Sequence, residues 1–405
     1  MARPESIGTV GVTLSGTPGA GDWNTGSYSY DGAGNISAMG GESYTYDKIS
    51  RLVSSTRAGG ETYTYDPFGN LAKMNGLERP TNPVTNRLSE AAYDLRGNLL
   101  TWAGSTFTWD TLGRMTSIQG PGINRSMFYD ANGERIVVRD GSSYTFTLRD
   151  LGQQVLREVS WSNASSWTWG KDYIYRGGTL LASQSTTAGE GLRYHFPDHL
   201  TSPRLLTNRC GERLLEHRTS SFGIDLLSGS AQSADRMRFT MHERDLGQLS
   251  TTLDDLDVMH ARTYWPSLGR FTSVDPGRDN DPKVPQSWNL YAYVRNNPLA
   301  RVDPNGAAAV LFVAVPPAIA LHAAASAAVV AWLNAQSPSQ PGRTNAEVIA
   351  GHVDRLRESF YRRLLPRDQV RARERGVREH DRARLARQRE RTTHSPGPER
   401  PGGGD

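Results

Sequence analysis

Cysteine is almost missing from this sequence of 405 residues, because Cys210 is the only one. Internal disulfide bonds are therefore excluded, and so are zinc or redox sites that need paired cysteines. A glycine at every third position is also missing, which excludes a collagen-like triple helix. The first 24 residues contain no apolar run of signal-peptide length, so we predict no secretory signal there.

Motifs typical of common enzymes are missing as well. The sequence contains no GxSxG, Walker A or GxGxxG motif, and His242, Glu243 and His260 do not form HExxH. His195 and His199 have the spacing of two metal ligands on a helix, but Pro197 between them opposes a helix. We therefore predict no cofactor and no metal ion.

The net positive charge of the chain comes from its C-terminal end. Between Arg343 and Asp405 there are 16 arginines, no lysine and 10 acidic residues, so this segment carries +6 and the rest of the chain −2 of the net +4. A broad basic surface, which nucleic-acid binding would need, is not predicted for the first 342 residues. Nucleic acid is therefore an unlikely partner.

Glycine and large aromatic residues are plentiful: 41 glycines, 16 tyrosines and nine tryptophans. Six copies of one pattern stand out, each an aromatic residue followed by Asp, usually with Gly three positions after the Asp. The copies are Tyr30-Asp31 with Gly34, Tyr46-Asp47, Tyr65-Asp66 with Gly69, Tyr93-Asp94 with Gly97, Trp109-Asp110 with Gly113, and Tyr129-Asp130 with Gly133. In the second copy Ser50 replaces the Gly.

Each copy predicts a strand, a turn and a returning strand. The aromatic residue ends a strand and packs its ring inward, the Asp accepts hydrogen bonds from N–H groups of the turn, and the Gly adopts a positive φ. Runs such as Ser-Tyr-Thr-Tyr at 43–46 alternate polar and apolar residues, which indicates one buried and one wet face. Since one hairpin is marginal alone, the copies are expected to stack into a long sheet.

The repeated unit resembles the YD repeat of RHS, teneurin and insecticidal-toxin proteins. Later segments resemble the RHS repeat-associated core: RYHFPDHLTSPR at 193–204, the stretch 239–276, and NLYAYVRNNP at 289–298 followed by VDPNG. The resemblance covers residues from about 25 to 306. It implies a mainly β fold in which stacked hairpins spiral into a hollow shell, partial or complete, followed by a helical C-terminal tail.

This resemblance divides the chain into five parts. They are an N-terminal segment (1–24), a YD-repeat sheet (25–190), an RHS core (191–306), an apolar helical segment (307–335) and an Arg-rich tail, helical or disordered (336–405). The resemblance also implies a structural, non-enzymatic shell that encloses or presents its own C-terminal segment as cargo. A bacterial protein, secreted or associated with the cell surface or envelope, is expected.

Two Asp-Pro motifs bracket the core, at Asp275 and Asp303. In bacterial members of the family the chain cuts itself just after the second motif, so the resemblance implies that these two carboxylates share a proton and cleave near Ala307 and Ala308. Arg270 is a candidate to neutralise or orient one Asp. The glycine of the first motif is displaced to position 277, and the alternative is that both motifs only cap turns.

The end of the chain allows further interpretations. Residues 307–333 are uncharged and long enough to span a membrane, although Pro316 and Pro317 also fit a helical hairpin. The segment 307–405 is an alternative location for a small nuclease or a membrane-active toxin. Among partners, the secretion apparatus and the target-cell surface are candidates beside the cargo.

A second alternative function is adhesion to a carbohydrate or a protein. Trp161, Trp167 and Trp169 could stack on sugar rings or on a partner surface. Trp167 and Trp169 are two positions apart, so a strand would place both rings on one face, an arrangement that more often belongs to a core.

Overall fold

The computed structural model describes residues 4–8, 23–161, 167–187, 189–226, 235–245, 255–277, 281 and 283–311. The chain divides into two compact units, residues 1–328 and 329–405, and all described residues belong to the first. The fold prediction is confirmed, because this part of the chain is mainly β. The predicted helical tail (336–405) lies outside the described residues.

Seven strands form the first sheet, in chain order and antiparallel throughout. They are β1 (Tyr28–Tyr30), β2 (Ile36–Met39), β3 (Glu42–Tyr46), β4 (Leu52–Ser55), β5 (Glu61–Tyr65), β6 (Leu71–Met74) and β7 (Leu77–Glu78). Consecutive antiparallel strands need only short turns, which is what the closely spaced repeats supply.

Thirteen strands form the second sheet, again in chain order. They are β8 (Ala92–Tyr93), β9 (Leu99–Trp102), β10 (Ser105–Trp109), β11 (Met115–Gly120), β12 (Ile123–Tyr129), β13 (Arg135–Asp140), β14 (Ser143–Arg149), β15 (Val155–Trp161), β16 (Trp167–Arg176), β17 (Thr179–Ser185), β18 (Leu192–Pro197), β19 (Pro203–Asn208) and β20 (Arg213–Glu216). The predicted domain division at residues 190 and 191 falls between the adjacent strands β17 and β18, and it stays a prediction.

Two small sheets complete the described part. One contains β21 (Glu243–Asp245), β22 (Leu256–Met259), β23 (Arg262–Trp265) and β24 (Arg270–Phe271), and the other pairs β25 (Arg301–Val302) with β26 (Val310–Leu311). Helical residues of the described part form only short 3-10 turns, at Arg57–Gly59, Phe239–Met241, Pro266–Leu268, Pro285–Ser287 and Val294–Asn296. In the described residues, no helix is long and apolar enough to cross a membrane, and most of the candidate span 307–333 lies outside them.

The repeat turn has the structure that the sequence predicts. The Asp31 carboxylate accepts the N–H groups of Ala33 at 2.9 Å and Asn35 at 2.8 Å, and Gly34 donates to the Asp31 carbonyl at 3.0 Å. Gly34 has a φ of +90°, a conformation that costs glycine little. Ser50, which replaces the glycine in the second copy, adopts the same region with a φ of +65°.

The repeat aromatics join each hairpin to the one before it. The hydroxyl of Tyr65 donates to the Leu52 carbonyl at 2.6 Å, and that of Tyr129 donates to the Met115 carbonyl, also at 2.6 Å. Both acceptors lie five residues after the Asp of the preceding copy. Because the buried hydroxyl is satisfied only by the neighbouring copy, the repeats must stack in a fixed register.

Further turns of the same kind follow where the sequence pattern does not reveal them. At Asp150, Asp198, Asn208 and Ser220 the residue's N–H donates to the carbonyl four positions on, and its side chain accepts the N–H of that same residue. Asn82 closes a similar turn with one extra residue, within the interval of 28 between the third and fourth Asp. Asn and Ser can make the same acceptor contacts as Asp, and Asp150 and Asp198 follow Arg149 and Pro197 rather than an aromatic residue, so a search for an aromatic residue followed by Asp misses all of these turns.

The later part of the chain packs onto the buried face of both sheets. Phe222 and Leu299 join the core of the first sheet, and Trp265 and Leu268 join the core of the second. Phe107 of β10, for example, lies 5.9 Å from the ring of Trp265. In the described residues, the core therefore combines side chains of the repeats with side chains from much later in the chain.

Candidate functional site

Asp275, Asp303 and an arginine, Arg262, lie close together in the structure. They come from three segments in and beside the two small sheets. Arg262 begins β23, Asp275 follows β24, and Asp303 follows β25. The backbone of Leu290 holds Arg262 and Asp275 together. Its carbonyl oxygen accepts hydrogen bonds from the Asp275 N–H at 3.1 Å and from Arg262 Nη1 at 3.0 Å. The site therefore forms only when three segments that are separate in sequence pack together.

Arg262 lies between the two carboxylates. Its Nη2 is 3.0 Å from Asp275 Oδ2 and 2.9 Å from Asp303 Oδ2. All three side chains are buried, and the exposed fraction is 3% for Arg262, 8% for Asp275 and 1% for Asp303. A buried arginine placed in this way cancels most of the repulsion between two close carboxylates.

Asp303 contacts the backbone at the expected cleavage position. Its Oδ1 accepts the N–H of Ala307 at 3.0 Å and that of Ala308 at 3.1 Å. Arg262 Nε donates to the carbonyl of Gly306 just before them. The nitrogen of the Ala307–Ala308 peptide bond is therefore within hydrogen-bond distance of one of the two carboxylates.

Gly277, the displaced glycine of the first Asp-Pro motif, has a structural role beside the carbonyl group of the same bond. Asp275 Oδ1 accepts the Gly277 N–H at 2.8 Å, which closes a tight turn. A Cβ at position 277 would lie 2.7 Å from the carbonyl oxygen of Ala307. Only glycine lets the backbone approach so closely, so the turn and the carbonyl of the expected scissile bond fit together.

A cavity of about 830 Å³ lies beside this bond. Its wall includes Asp275, Ala307, Asn98, Glu134 and His260. Asp275 is thus the carboxylate on the solvent side of the pair, whereas the Asp303 side chain is almost fully buried.

Arg270, the arginine that the sequence analysis names for this site, lies elsewhere. Its Nη2 donates to the Asn86 carbonyl at 2.5 Å, and its guanidinium lies 4.6 Å from the ring centroid of Tyr291. Arg262 takes the position beside the carboxylates instead. One signal for it exists in the sequence: an arginine in the same strand as the aromatic residues Tyr264 and Trp265 would be buried and would need acidic partners.

The histidines singled out from the sequence do not form a metal site in the described residues. His195 contacts Ser183 at 2.9 Å, whereas His199 contacts the hydroxyl of Tyr28 at 3.0 Å and the carbonyl of Leu299 at 2.8 Å. The two rings therefore have separate partners.

His242 and His260 face another cavity, of about 460 Å³, with ring centroids 6.3 Å apart. Burial, with a smaller effect of the nearby His260, lowers the pKa of His242 to about 4. His242 is accordingly neutral near pH 7, and its Nδ1 lies 2.9 Å from the Thr240 hydroxyl. His260 Nδ1 lies 2.8 Å from Glu134 Oε2.

Comparison with known families agrees with the repeats and the sheets. A family model described as the teneurin YD-shell matches residues 21–299. The chain belongs to the teneurin YD-shell family. The matched range contains all six YD repeats and Asp275, and it ends just before Asp303.

Several bacterial proteins are similar to this chain in sequence. The tRNA3(Ser)-specific nuclease WapA of Bacillus spizizenii is 29% identical over 281 residues, and these cover 64% of this chain and 12% of the relative. The double-stranded DNA deaminase toxin A of Burkholderia cenocepacia is 27% identical over 330 residues, covering 69% of this chain and 22% of the relative. The chain thus spans less than a quarter of the length of either relative.

Solved structures with a similar fold include two crystal structures whose titles name TcdB2-TccC3. The crystal structure of TcdB2-TccC3-Cdc42 has a TM-score of 0.55 and 20% identity, covering 69% of this chain and 17% of that chain. The crystal structure of TcdB2-TccC3 without its hypervariable C-terminal region gives the same values. At this identity the likeness concerns the fold alone.

Proposed function

We propose that this YD-shell chain is a structural delivery module that encloses or presents its own C-terminal segment and cuts itself after residue 307. The contact of Asp303 with the N–H groups of Ala307 and Ala308 supports the proposal, because a carboxylate is then within hydrogen-bond distance of the nitrogen of the proposed scissile bond. The second carboxylate, Asp275, is joined to it through Arg262.

The chemistry follows from two carboxylates that hold one proton. Together with Arg262 such a pair is neutral, which suits a buried site. Asp275 takes a proton from a water molecule in the cavity, and the water oxygen bonds to the Ala307 carbonyl carbon. The bond to the Ala308 nitrogen breaks, and this nitrogen takes the proton that Asp303 holds.

Self-cleavage is tested on the full chain of 44.6 kDa. After expression and purification, intact-mass spectrometry is expected to find two fragments, the second beginning at Ala308. Asp303→Asn should leave the chain intact, since the N–H protons of a carboxamide are not acidic and cannot be transferred to the leaving nitrogen. Asp140→Asn is the matched control, because Asp140 is a half-exposed carboxylate at the end of β13 and should leave cleavage unchanged. An uncut wild-type chain, or equal cutting of the Asp303→Asn chain, would contradict the proposal.

The cargo is the segment that follows the cut, and we propose that it is toxic. Two of the bacterial relatives are by name a nuclease and a deaminase toxin. Growth of bacteria that express residues 308–405 alone, compared with bacteria that express the Asp303→Asn chain, provides the test. Slow growth only with the free segment supports a toxin held by the shell, and normal growth with both contradicts it.

Delivery implies a location outside the producing cell or at its envelope. We propose the secretion apparatus and the surface of a target cell as partners, in keeping with the bacterial toxin names among the relatives. Fractionation of a producing culture, followed by detection of the shell, tests this location, and a shell found only in the cytoplasm would contradict it.

A further inference from the structure

One face of the second sheet carries two rows of mostly apolar side chains that run across neighbouring strands. Residues paired directly across β12 to β16 form the first row: Phe128, Val137, Phe146, Val159 and Trp169. The second row lies beside it and consists of Arg139, Tyr144, Trp161 and Trp167. We call these two rows the aromatic strip.

The aromatic strip lies on the solvent side of the sheet. Trp167 is 63% exposed, Phe128 is 48% exposed and Trp169 is 37% exposed. Residues that alternate with them along the strands, such as Glu158 and Lys171, are buried on the opposite face. The Trp-x-Trp pair is therefore not part of the core, and this exposure of large aromatic side chains is typical of a binding surface.

The aromatic rings hold one another in place. The ring centroids of Phe146 and Trp167 are 4.8 Å apart, and those of Tyr144 and Trp161 are 5.2 Å apart. Tilted contacts at these distances are favourable between aromatic rings. A ligand would meet a surface that is already organised, which lowers the entropic cost of binding.

A glycine bulge adds a polar group to the same face. Val159 pairs with Trp169 whereas Glu158 pairs with Lys171, so Gly170 is the extra residue and the alternation of side chains shifts there. Asp172 therefore lies on the side of Trp169 and accepts its Nε1–H at 3.1 Å. Gly170 has little space for a side chain, since a Cβ would lie 3.1 Å from the Glu158 carbonyl oxygen.

Arg157 completes the polar edge of the aromatic strip. Its Nη2 donates to Asp172 Oδ2 at 2.6 Å, and its guanidinium lies 5.4 Å from the ring centroid of Trp169. Arg157 and Asp172 are both only partly buried, so they keep hydrogen-bonding capacity toward a ligand. The surface thus combines flat apolar rings with a charged hydrogen-bonding pair at one end.

The dimensions of the aromatic strip favour a chain-like ligand over a second protein. Five strands spaced about 4.8 Å apart give a length of roughly 19 Å, and two rows about 7 Å apart give a narrow width. The resulting area is on the order of 200 Å², far below the roughly 800 Å² that each partner contributes to a stable protein dimer.

We propose that the aromatic strip binds a β-1,4-linked glycan chain. Equatorial linkages make such a chain a flat ribbon with C–H groups on its faces and hydroxyl groups along its edges. The faces can stack on the rings of Trp167 and Trp169, and the edge hydroxyls can bond to Arg157 and Asp172. An α-1,4-linked chain is curved and cannot lie along a straight row.

The test is isothermal titration calorimetry of the full chain with three hexasaccharides. Cellohexaose and chitohexaose are β-1,4-linked, and maltohexaose is the α-linked control. We expect saturable binding of at least one β-linked chain, with a dissociation constant of about 0.1 to 1 mM. Maltohexaose should give no saturable heat. Absence of binding by both β-linked chains, or equal binding of maltohexaose, would overturn the proposal.

Variants then connect the binding to the aromatic strip. Trp169→Ala is expected to weaken binding at least tenfold. Trp288→Ala is the matched control, because Trp288 is 56% exposed outside the strip and should change the dissociation constant less than twofold. Equal circular dichroism spectra and melting temperatures would show that both variants fold. Unchanged binding by Trp169→Ala would refute the site, and so would a dimer in sedimentation velocity that Trp169→Ala dissociates.

Discussion

At the scale of single residues, Arg262 and Gly277 set the geometry around the expected cleavage position. Arg262 holds two buried carboxylates that would otherwise repel each other, with Nη2 about equally far from both. Gly277 lets the backbone turn approach the Ala307 carbonyl. The charge of Arg262 thus acts on the carboxylates beside this peptide bond, and the absence of a side chain at Gly277 leaves room for the carbonyl group of the bond.

Gly277→Ala tests the close approach. The added methyl group must displace the Ala307 carbonyl, which would cost about 1 to 3 kcal/mol of unfolding free energy and slow any self-cleavage. Thermal denaturation and a time course of cleavage measure both effects. Gly41→Ala is the matched control, because no atom lies within 4 Å of a Cβ there. Equal melting temperatures and cleavage rates for both variants would contradict the tight fit.

At the scale of elements, the Asp turn is the unit that repeats through the sheets. At Asp110 the carboxylate accepts the N–H groups of Leu112 and Arg114, both at 2.9 Å. Although burial alone would raise the pKa of Asp110, the hydrogen bonds from Arg114 outweigh it and lower the pKa below its usual value. The charged form is therefore the one that stabilises the turn near pH 7.

Substitutions at Asp110 distinguish the contribution of its hydrogen-bond acceptor to stability from the contribution of its negative charge. Asp110→Ala leaves two N–H groups without their partner and should lower the unfolding free energy by about 1 to 3 kcal/mol. Asp110→Asn should lose less, because Asn208 forms the same turn in this chain. Denaturant unfolding measures the difference. If Asn destabilises the turn as much as Ala does, charge rather than the acceptor geometry dominates.

The repeats were predictable because their interactions are local. Asp31 bonds to residues two and four positions on, and the same spacing recurs in every copy. The later turns at Asp150, Asn208 and Ser220 have equivalent bonds without the full sequence pattern. Asp, Asn and Ser side chains can all accept the hydrogen bonds of this turn. The YD sequence pattern therefore identifies only some of the turns that have this structure.

At the scale of the described unit, buried histidines and buried ion pairs couple stability to pH. Burial lowers the pKa of His195 to about 4, and that of His217 to about 2. Glu243 shows the opposite balance, since burial alone would raise its pKa but Arg149, Arg135 and Arg236 lower it to about 2. The histidines must stay neutral and Glu243 must stay charged for the fold to be stable.

These shifts predict two steps of acid destabilisation. A histidine whose pKa is lower in the folded state binds protons more readily when unfolded, so stability is lost as the pH falls from about 6.5 toward 4. For His195 alone the loss at pH 5 is about 2 kcal/mol. Glu243 adds a loss as the pH falls below about 4.5, the usual pKa of a glutamate, because its carboxylate then takes up a proton in the unfolded state while it stays charged in the folded state.

Melting temperatures between pH 7.5 and 3.5 measure both steps. His195→Asn should make the first step smaller while leaving the second, since Asn can still bond to Ser183 and does not take up a proton in this range. His217 remains in this variant and still contributes to the first step. A wild-type melting temperature that stays constant from pH 7 to 4.5 would rule out the histidine contribution.

The sequence by itself determined the mainly β fold, the stacked hairpins and the turn at each YD repeat, because these depend on hydrogen bonds between residues a few positions apart. Tertiary structure alone decided that Arg262, not Arg270, joins Asp275 and Asp303, since the three side chains come from separate segments of the chain and meet only in the folded protein. It also decided that Trp167 and Trp169 face solvent. A strand has two faces, and only the packing of the whole sheet determines which one the core covers.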